Sequence, residues 1–577
     1  MMKLSWHAIA LIVHLGIRLG VAVLVVFSSV YGFYGSSTFI VRPFGSESIH
    51  AITAWADYMQ EYDQSPGNGT VRARLDYGQS FDSDHIARYM LGSSNVRFSG
   101  SRVRDRCDQD ILADYFGLPS DFQSNVTVQP CIQTILGDVA GYKTLYQKTV
   151  GDSKKSVYVS CHIPFVHTRW DMRLRETVLE EGVNFHPAGY LGGGNRRINR
   201  ADLVDRVETA LHGGVTFGDM LQPLRFGKIN GSRHATGISA FNIALGLTLD
   251  GPEDRLGGVF IQLGLPTGAR RSAEFLFEPY VGNGRHVELG MGAQGRVTLW
   301  RDCSHDYALI ARVYCSHLYA AKQKRSFDLV RNGKGSRYML LQKMGSIRTD
   351  VQIPAGVLVS TQYQGLLLPA LHVTTLDTDI KVAIQGDVTL ALRAGHCNWD
   401  IDLGYSWWGR SREKIEARQK IPNFSYAVKG DASIYGFTVA SSAVELNATQ
   451  HEATLHVGQG VGNATFTNLN VDHAAAADGL ASLTVSDAAD LGIAAGIAHG
   501  SHPPELLTDT DIDELSALAS SAHTHTLFMQ GSYHFDFASQ RDVYMGFGAR
   551  IEMAGGSVNT RPVASQWGIW LLAGLSY

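Results

Sequence analysis

The stretch Val543-Tyr-Met-Gly-Phe-Gly-Ala-Arg-Ile-Glu-Met553 changes character at every step. Val543, Met545, Phe547, Ala549, Ile551 and Met553 are apolar, and Tyr544, Gly546, Gly548, Arg550 and Glu552 fall between them. A β-strand points successive side chains to opposite faces, so this pattern predicts a strand with one face for an oily phase and one for a wet one. The same alternation runs through 380–392, where Ile380, Val382, Ile384, Val388, Leu390 and Leu392 oppose Lys381, Gln385, Asp387 and Thr389. It continues with Trp399, Ile401, Leu403, Tyr405 and Trp407 against Asp400, Asp402, Gly404 and Ser406. Similar runs occupy 237–249, 256–265, 285–300, 307–318 and 525–537.

Working outward, the connections between runs are of two kinds. Asp250–Arg255, Arg301–Asp306, Ala394–Asn398 and Ala538–Asp542 are short turns, whereas 266–284, 319–379, 411–524 and 554–566 are long. Short turns at one end and long loops at the other are the asymmetry of a transmembrane barrel, and the runs are long enough for the ~9–11 residues of a tilted crossing strand. The hairpin order makes 237–249 a downward strand and 156–170 an upward one, with 171–236 external. Leu145-Tyr-Gln-Lys-Thr149 then descends into the turn Gly151-Asp-Ser-Lys-Lys155, and Val71–Tyr77 ascends. The expectation is an all-β, antiparallel up-and-down barrel of about 12 strands. Fourteen is the alternative, should 319–379, with RYMLLQ and GVLVSTQYQGLLL, hold another hairpin.

Composition is compatible with this architecture and excludes others. The chain has 577 residues, 45% hydrophobic, with 50 Lys+Arg against 54 Asp+Glu. Its mean hydropathy of −0.05 excludes a polytopic bundle of apolar helices but not a barrel, which hides its apolar face in every second residue. A formal charge of −4 supplies no field for gripping nucleic acid. Met1-Met-Lys3 precedes a mostly apolar stretch with its best core at Val21–Phe27, and Val30 and Gly32 suit signal-peptidase cleavage after Gly32. His14 and Arg18 interrupt that stretch, and a retained membrane helix is the alternative. The domain reading is a signal peptide at 1–32, an N-terminal segment with the first strand or strands and a polar loop at 33–138, and the barrel at 139–577. Large external loops are expected at 171–236, 319–379 and 411–524.

The last eleven residues, Trp567-Gly-Ile-Trp-Leu-Leu-Ala-Gly-Leu-Ser-Tyr577, place Trp567, Ile569, Leu571, Ala573, Leu575 and Tyr577 on one face and stop on the aromatic. This run resembles the C-terminal β-signal of Gram-negative outer-membrane proteins. The resemblance covers roughly residue 139 onward and implies an outer-membrane location, contact with outer-membrane lipid, and delivery by the barrel-assembly machinery. Leu403–Ile415 and Pro279–Gly284 resemble segments of uncharacterised bacterial outer-membrane barrel families, and no activity comes with that likeness.

Motifs that could carry other chemistry have simpler explanations. Gly290-Met-Gly-Ala-Gln-Gly295 fits GxGxxG but lies inside a strand with another strand after it, so its glycines are expected to make room for lumenal side chains. Asp509, Asp511 and Asp513 have calcium-loop spacing, but Glu514 and Ser520 fail at the positions needing Gly and Glu. Thr508 capping a short acidic helix turn is preferred. The six cysteines form no CxxC, and Cys107 with Cys131 is the guessed bridge. No cofactor, metal or catalytic group is expected. His305 and Asp306 fall in a predicted turn, and His523 and His525 begin a strand without an arguable partner.

The polar faces remain. Glu288, Arg296, Arg312, Lys381, Asp387, Arg393, Asp400, Asp402, Arg550 and Glu552 are the candidate pore-lining residues, because Arg or Lys at the lipid midplane costs roughly 2–4 kcal/mol. The expected function is a porin-like channel for passive diffusion of small polar solutes. The alternative is a closed barrel, filled by opposite-charge pairs or a folded segment, that displays its loops for adhesion or protection. An outer-membrane hydrolase is the less favoured third.

Overall fold

The computed structural model describes residues 42, 48–60, 66–150, 153–186, 190–192, 198–251, 255–302, 304–346, 362–431, 436–437, 443–444, 448–458, 465–466, 505–536, 542–556 and 562–577. The signal-peptide expectation at 1–32 lies outside them, as does the last residue of the expected run 525–537.

Twelve antiparallel strands close into a barrel. They are β1 (Gly69–Ser80), β2 (Cys131–Val150), β3 (Ser153–Asp171), β4 (Ala240–Gly251), β5 (Arg255–Pro266), β6 (Glu288–Arg301), β7 (His305–Ser326), β8 (Thr375–His396), β9 (Trp399–Arg410), β10 (Ala522–Asp536), β11 (Asp542–Ala554) and β12 (Gln566–Ser576). Each pairs with its sequence neighbours, and β1 pairs with β12 from Thr70↔Ser576 to Ser80↔Gln566, so no edge is left open. A further strand, Ser232–Ile238, prolongs the β4 side of β3 toward the loops. The alternation expected from sequence is the burial pattern observed. In β11, Tyr544, Arg550 and Glu552 are buried while Met545, Phe547 and Ile551 are exposed, and in β12 Ile569 and Leu571 are exposed opposite buried Trp570 and Leu572. The exposed set faces lipid.

Five connections are turns between strand ends three to six positions apart, and the other six are long. The second strand starts at Cys131, within the segment assigned from sequence to the N-terminal region. The hairpin suspected in 319–379 exists, formed by Leu340–Gly345 and Gln362–Pro369, but it pairs with Tyr426–Lys429 above the barrel and adds nothing to the wall. The count is therefore 12 and not 14.

The long connections do not splay. All six contribute to one apolar core at the loop end: Tyr89 and Phe122 from 81–130, Ile198 and Val207 from 172–239, Phe277 and Tyr280 from 267–287. Phe327 and Leu341 come from 327–374, Val428 and Ile512 from 411–521, and Ala564 from 555–565. A four-stranded sheet built from 95–99, 111–112, 123–127 and 175–180 frames part of this cap. Thr508 caps the 3-10 turn Asp509–Asp511, with Thr508 N–H and hydroxyl bonded to Asp511 Oδ2 at 2.7 and 2.9 Å, while Asp509 accepts from Arg418. Cys107 is exposed and Cys131 buried at the foot of the cap, and both are free, so the guessed bridge is not formed.

Candidate functional site

The lumen is occupied. Helix α1 (Ser48–Gln60) stands inside the barrel, and the side chains along it are buried on every side: Ile49, His50, Ile52, Thr53, Trp55, Asp57 and Tyr58. Arg42, upstream, lies at the loop end, where its Nε pairs with Glu552 at 2.8 Å and its guanidinium sits 4.6 Å from the Trp408 ring centroid. Tyr58 lies at the turn end, its hydroxyl 2.5 Å from that of Thr144, which also bonds the chain just before β1. The chain thus descends from the loop end to the turn end before it enters the wall. Thirteen residues at ~1.5 Å each span about 20 Å, two thirds of a hydrocarbon core of ~30 Å.

Polar groups on α1 are matched to the wall one by one, as burial requires. Asp57 accepts from Arg72 at 3.1 Å and from Arg393 at 2.9 Å. Arg393 also grips Asp402 with Nε at 2.7 Å and Nη2 at 2.8 Å, a bidentate contact that fixes the guanidinium plane. Arg72 donates to Thr53 Oγ1 at 2.9 Å and to Gln530 Oε1 at 3.2 Å, and Gln530 Oε1 also accepts from the Trp570 indole. Above this tier, Asp76 receives Arg74 at 2.9 Å and Arg550 at 3.3 Å, with Arg74 stacked over Trp570 at 3.8 Å.

The wall makes space for its own rings. A Cβ built on Gly290 would collide with Tyr314, on Gly292 with Phe260, on Gly548 with Trp570 and on Gly574 with Tyr544. Two glycines of the GxGxxG stretch therefore seat lumenal aromatics of adjacent strands.

Nine of the ten charged residues singled out from sequence are buried on the inner face: Glu288, Arg296, Arg312, Asp387, Arg393, Asp400, Asp402, Arg550 and Glu552. Arg296 pairs with Asp306, Asp400 with His534 at 3.0 Å, and Tyr314 donates to Glu288 at 2.9 Å. Lys381 is the exception and corrects the sequence reading. Between Ser316↔Gln385 and Leu318↔Val382 the register shifts, so an extra residue on β8 reverses its faces above that level. Val382 and Ile380 take the interior, and Lys381 turns outward to Glu416 at 3.5 Å, its side chain 37% exposed. The terminal set lies along the outer face of β12 and just beyond it: Trp567, Ile569, Leu571, Leu575 and Tyr577 are 36–63% exposed, and Ala573 is exposed beside them.

Sequence reasoning missed α1 and treated 33–138 as strand and polar loop. Its signal was present: Ile49, Ile52 and Ala56 recur at helical spacing. No polar face accompanies them, because Asp57, Thr53 and His50 are buried too.

On one side of α1 the filling is incomplete. A cavity of about 50 Å³ lies between Ala51 of the helix and the inner faces of β2–β8. At the loop-end mouth Glu413 accepts from Arg325 at 3.2 Å, Arg410 at 2.8 Å and the Ala519 N–H at 3.0 Å, tying β7, β9 and the cap together. Of the histidines considered from sequence, His305 pairs with Asp302 in the β6–β7 turn and His525 meets the Tyr405 hydroxyl at 2.7 Å on the outer face.

Fold and site define a class: a closed twelve-stranded transmembrane β-barrel, occupied by its own helix α1 and capped at its loop end. Comparison with family models and with curated proteins finds no match. Among solved structures the chain is similar to the COG4313 outer membrane channel from Pseudomonas putida F1, at 8% identity and TM-score 0.32, over 90% of this chain and 99% of that one. It is also similar to the transport unit of the autotransporter AIDA-I from Escherichia coli, at 6% identity and TM-score 0.29, over 93% and 99%. A Pseudomonas aeruginosa FadL homologue matches at 6% identity and TM-score 0.25, over 88% and 90%. At these values the likenesses add no functional argument, and the class rests on strand register and burial.

Proposed function

We propose that this protein is an outer-membrane channel for small polar solutes, held closed by α1. The observation that carries the reading is that a whole helix fits inside the wall. Barrels of about eight strands are filled by their own side chains, whereas a bore that accepts a helix of roughly 10–12 Å would conduct once the helix left. The wall behind α1 supports it, because Arg72, Arg74, Asp76, Arg393 and Asp402 would line a wet passage with both signs of charge. In this reading the leader at 1–32 is removed on export, since Arg42 sits at the loop end of the lumen, and the terminal strand is what the assembly machinery recognises. This reading keeps the expected passage for small polar solutes and adds a gate to it.

Swelling of proteoliposomes in small sugars and amino acids tests this. The mature chain, 33–577, is expected to leave vesicles tight, and the same chain lacking 48–60 to make them swell. A folded, heat-modifiable deletion variant that leaves them tight would overturn the reading. It would favour a second one, an anchor that displays the cap, which draws its support from the single core shared by all six long connections.

A further inference from the structure

The outward faces of β2 and β3 change character together as they approach the turn that joins them. On β3 the lipid-facing Val159 and Val157 are followed by Lys155, and on β2 Val139 and Gly141 are followed by Lys143. The apolar band of the wall therefore ends here on a basic margin. Beyond Lys143 the register shifts between Thr144 and Tyr146, which sets Tyr146 opposite Val157 and Lys148 directly opposite Lys155. Residues opposite one another share a face with Cβ atoms ~4.5–5.5 Å apart, and like charges so placed repel. Both lysines are exposed, and neither has an ion-pair partner among the described residues. On the far side of β3, Lys155 is opposed by Leu249, while Asp250 stands opposite Lys154 on the other face. From 143 to 155 the sequence holds four lysines and a single acid, Asp152. A like-charge pair at the edge of a lipid-facing surface is a cost that a bound anion would relieve.

We propose that the foot of the β2–β3 hairpin holds the headgroup of an anionic phospholipid such as phosphatidylglycerol, in the leaflet at the turn end. The phosphate lies between Lys148 and Lys155, with Lys143 beside it, as basic clusters at a membrane surface hold lipid phosphates. Tyr146, 55% exposed, sits where an amphipathic ring meets the headgroup level. The acyl chains run along the apolar face that continues from Val157 and Val159 to Leu247 of β4, which opposes Val157 and is 53% exposed. A zwitterionic headgroup fits less well, because its own ammonium would meet the lysines. A second copy of this chain fits less well too, since it would bring the same lysines to the contact. The site rests on the wall alone and on neither reading of the lumen.

The test is native mass spectrometry of residues 33–577 released from mixed micelles of phosphatidylglycerol and phosphatidylcholine, counting the lipids retained. Phosphatidylglycerol is expected to be retained about tenfold in preference to phosphatidylcholine, a preference two lysines at a membrane surface can supply. Lys148→Gln with Lys155→Gln should abolish the preference, and Lys148→Arg with Lys155→Arg should keep it. Lys414→Gln with Lys420→Gln, which removes the same charge from exposed positions at the loop end, should leave it unchanged. Equal retention of the two lipids by the unmutated chain would overturn the proposal. So would a preference that survives in the folded, heat-modifiable Gln pair at 148 and 155, or one that falls as far in the loop-end control, because net charge and not this site would then hold the lipid.

Discussion

Along β11, Met545, Phe547 and Ile551 lie open to lipid while Tyr544, Arg550 and Glu552 are buried; along α1, Ile49, His50, Trp55 and Asp57 are all buried whichever way they point. A strand of the wall separates two solvents, so its sequence must alternate. The helix meets a single environment, a lumen with apolar, aromatic and charged parts, so its sequence is a mixture fixed by whichever wall residue each side chain touches. The wall is therefore written as a period, and the plug as a set of partners. Periods can be read from one chain alone; partners such as Asp57 and Arg393, far apart in sequence, cannot.

Four substitutions sharpen or break this contrast. The largest effect is expected in the plug. Asp57→Ala removes the carboxylate that Arg72 pairs with in the interior, while Arg393 keeps Asp402, and breaking a buried pair costs about 3–5 kcal/mol, read as a lower urea midpoint for unfolding from micelles. An unchanged midpoint would mean that α1 is not anchored by its charge pairs. Next is the wall: Leu571→Arg, on the lipid face of β12, should cost roughly 2–4 kcal/mol in a bilayer refolding assay, and a neutral result would mean that this face does not meet hydrocarbon.

The cap gives a smaller, pH-dependent effect. His186 is buried, stacked on Tyr190 at 4.8 Å and bonded to the Leu118 carbonyl at 2.8 Å, and burial lowers its pKa although nearby Asp114 pulls it up. The unfolded chain takes up a proton near pH 6.5 that the folded cap refuses. Cap stability should therefore fall as pH drops below 6.5, until the lowered folded pKa is reached. Limited proteolysis at pH 7.5 and pH 5 should show the loss, and His186→Asn should shrink the difference between them. A cap equally resistant at both values would contradict a neutral, buried His186. The smallest effect belongs to Lys381→Glu: outward and half exposed beside Glu416, it should change stability by less than ~1 kcal/mol and leave the ion selectivity of an opened barrel unaltered. A shift in selectivity would return Lys381 to the lumen and refute the register shift in β8.

Lys381 also marks how far the fold was legible. The apolar and polar faces of β11 and β12, the five tight turns and the count of twelve follow from alternation, because each depends only on neighbours in sequence. Lys381 fails because a bulge is one extra residue in a pairing, invisible in either strand alone. The RYMLLQ hairpin has the local signature of strands, but its partner Tyr426–Lys429 is remote, so its place in the cap could not be derived. Of the candidate site, nine inward charges were legible as one face of a wall. What fills the space between them was not.

The central claim is the proposal that α1 closes a lumen otherwise able to conduct. Single-channel recording in planar bilayers addresses it most directly, comparing residues 33–577 with the same span lacking 48–60 and with Asp57→Lys as a point variant that keeps the helix. Residues 33–577 are expected to be silent, the deletion to give steady ohmic steps, and Asp57→Lys to give intermittent openings. Steady currents from the intact chain, or silence from a verified folded deletion variant, would contradict it.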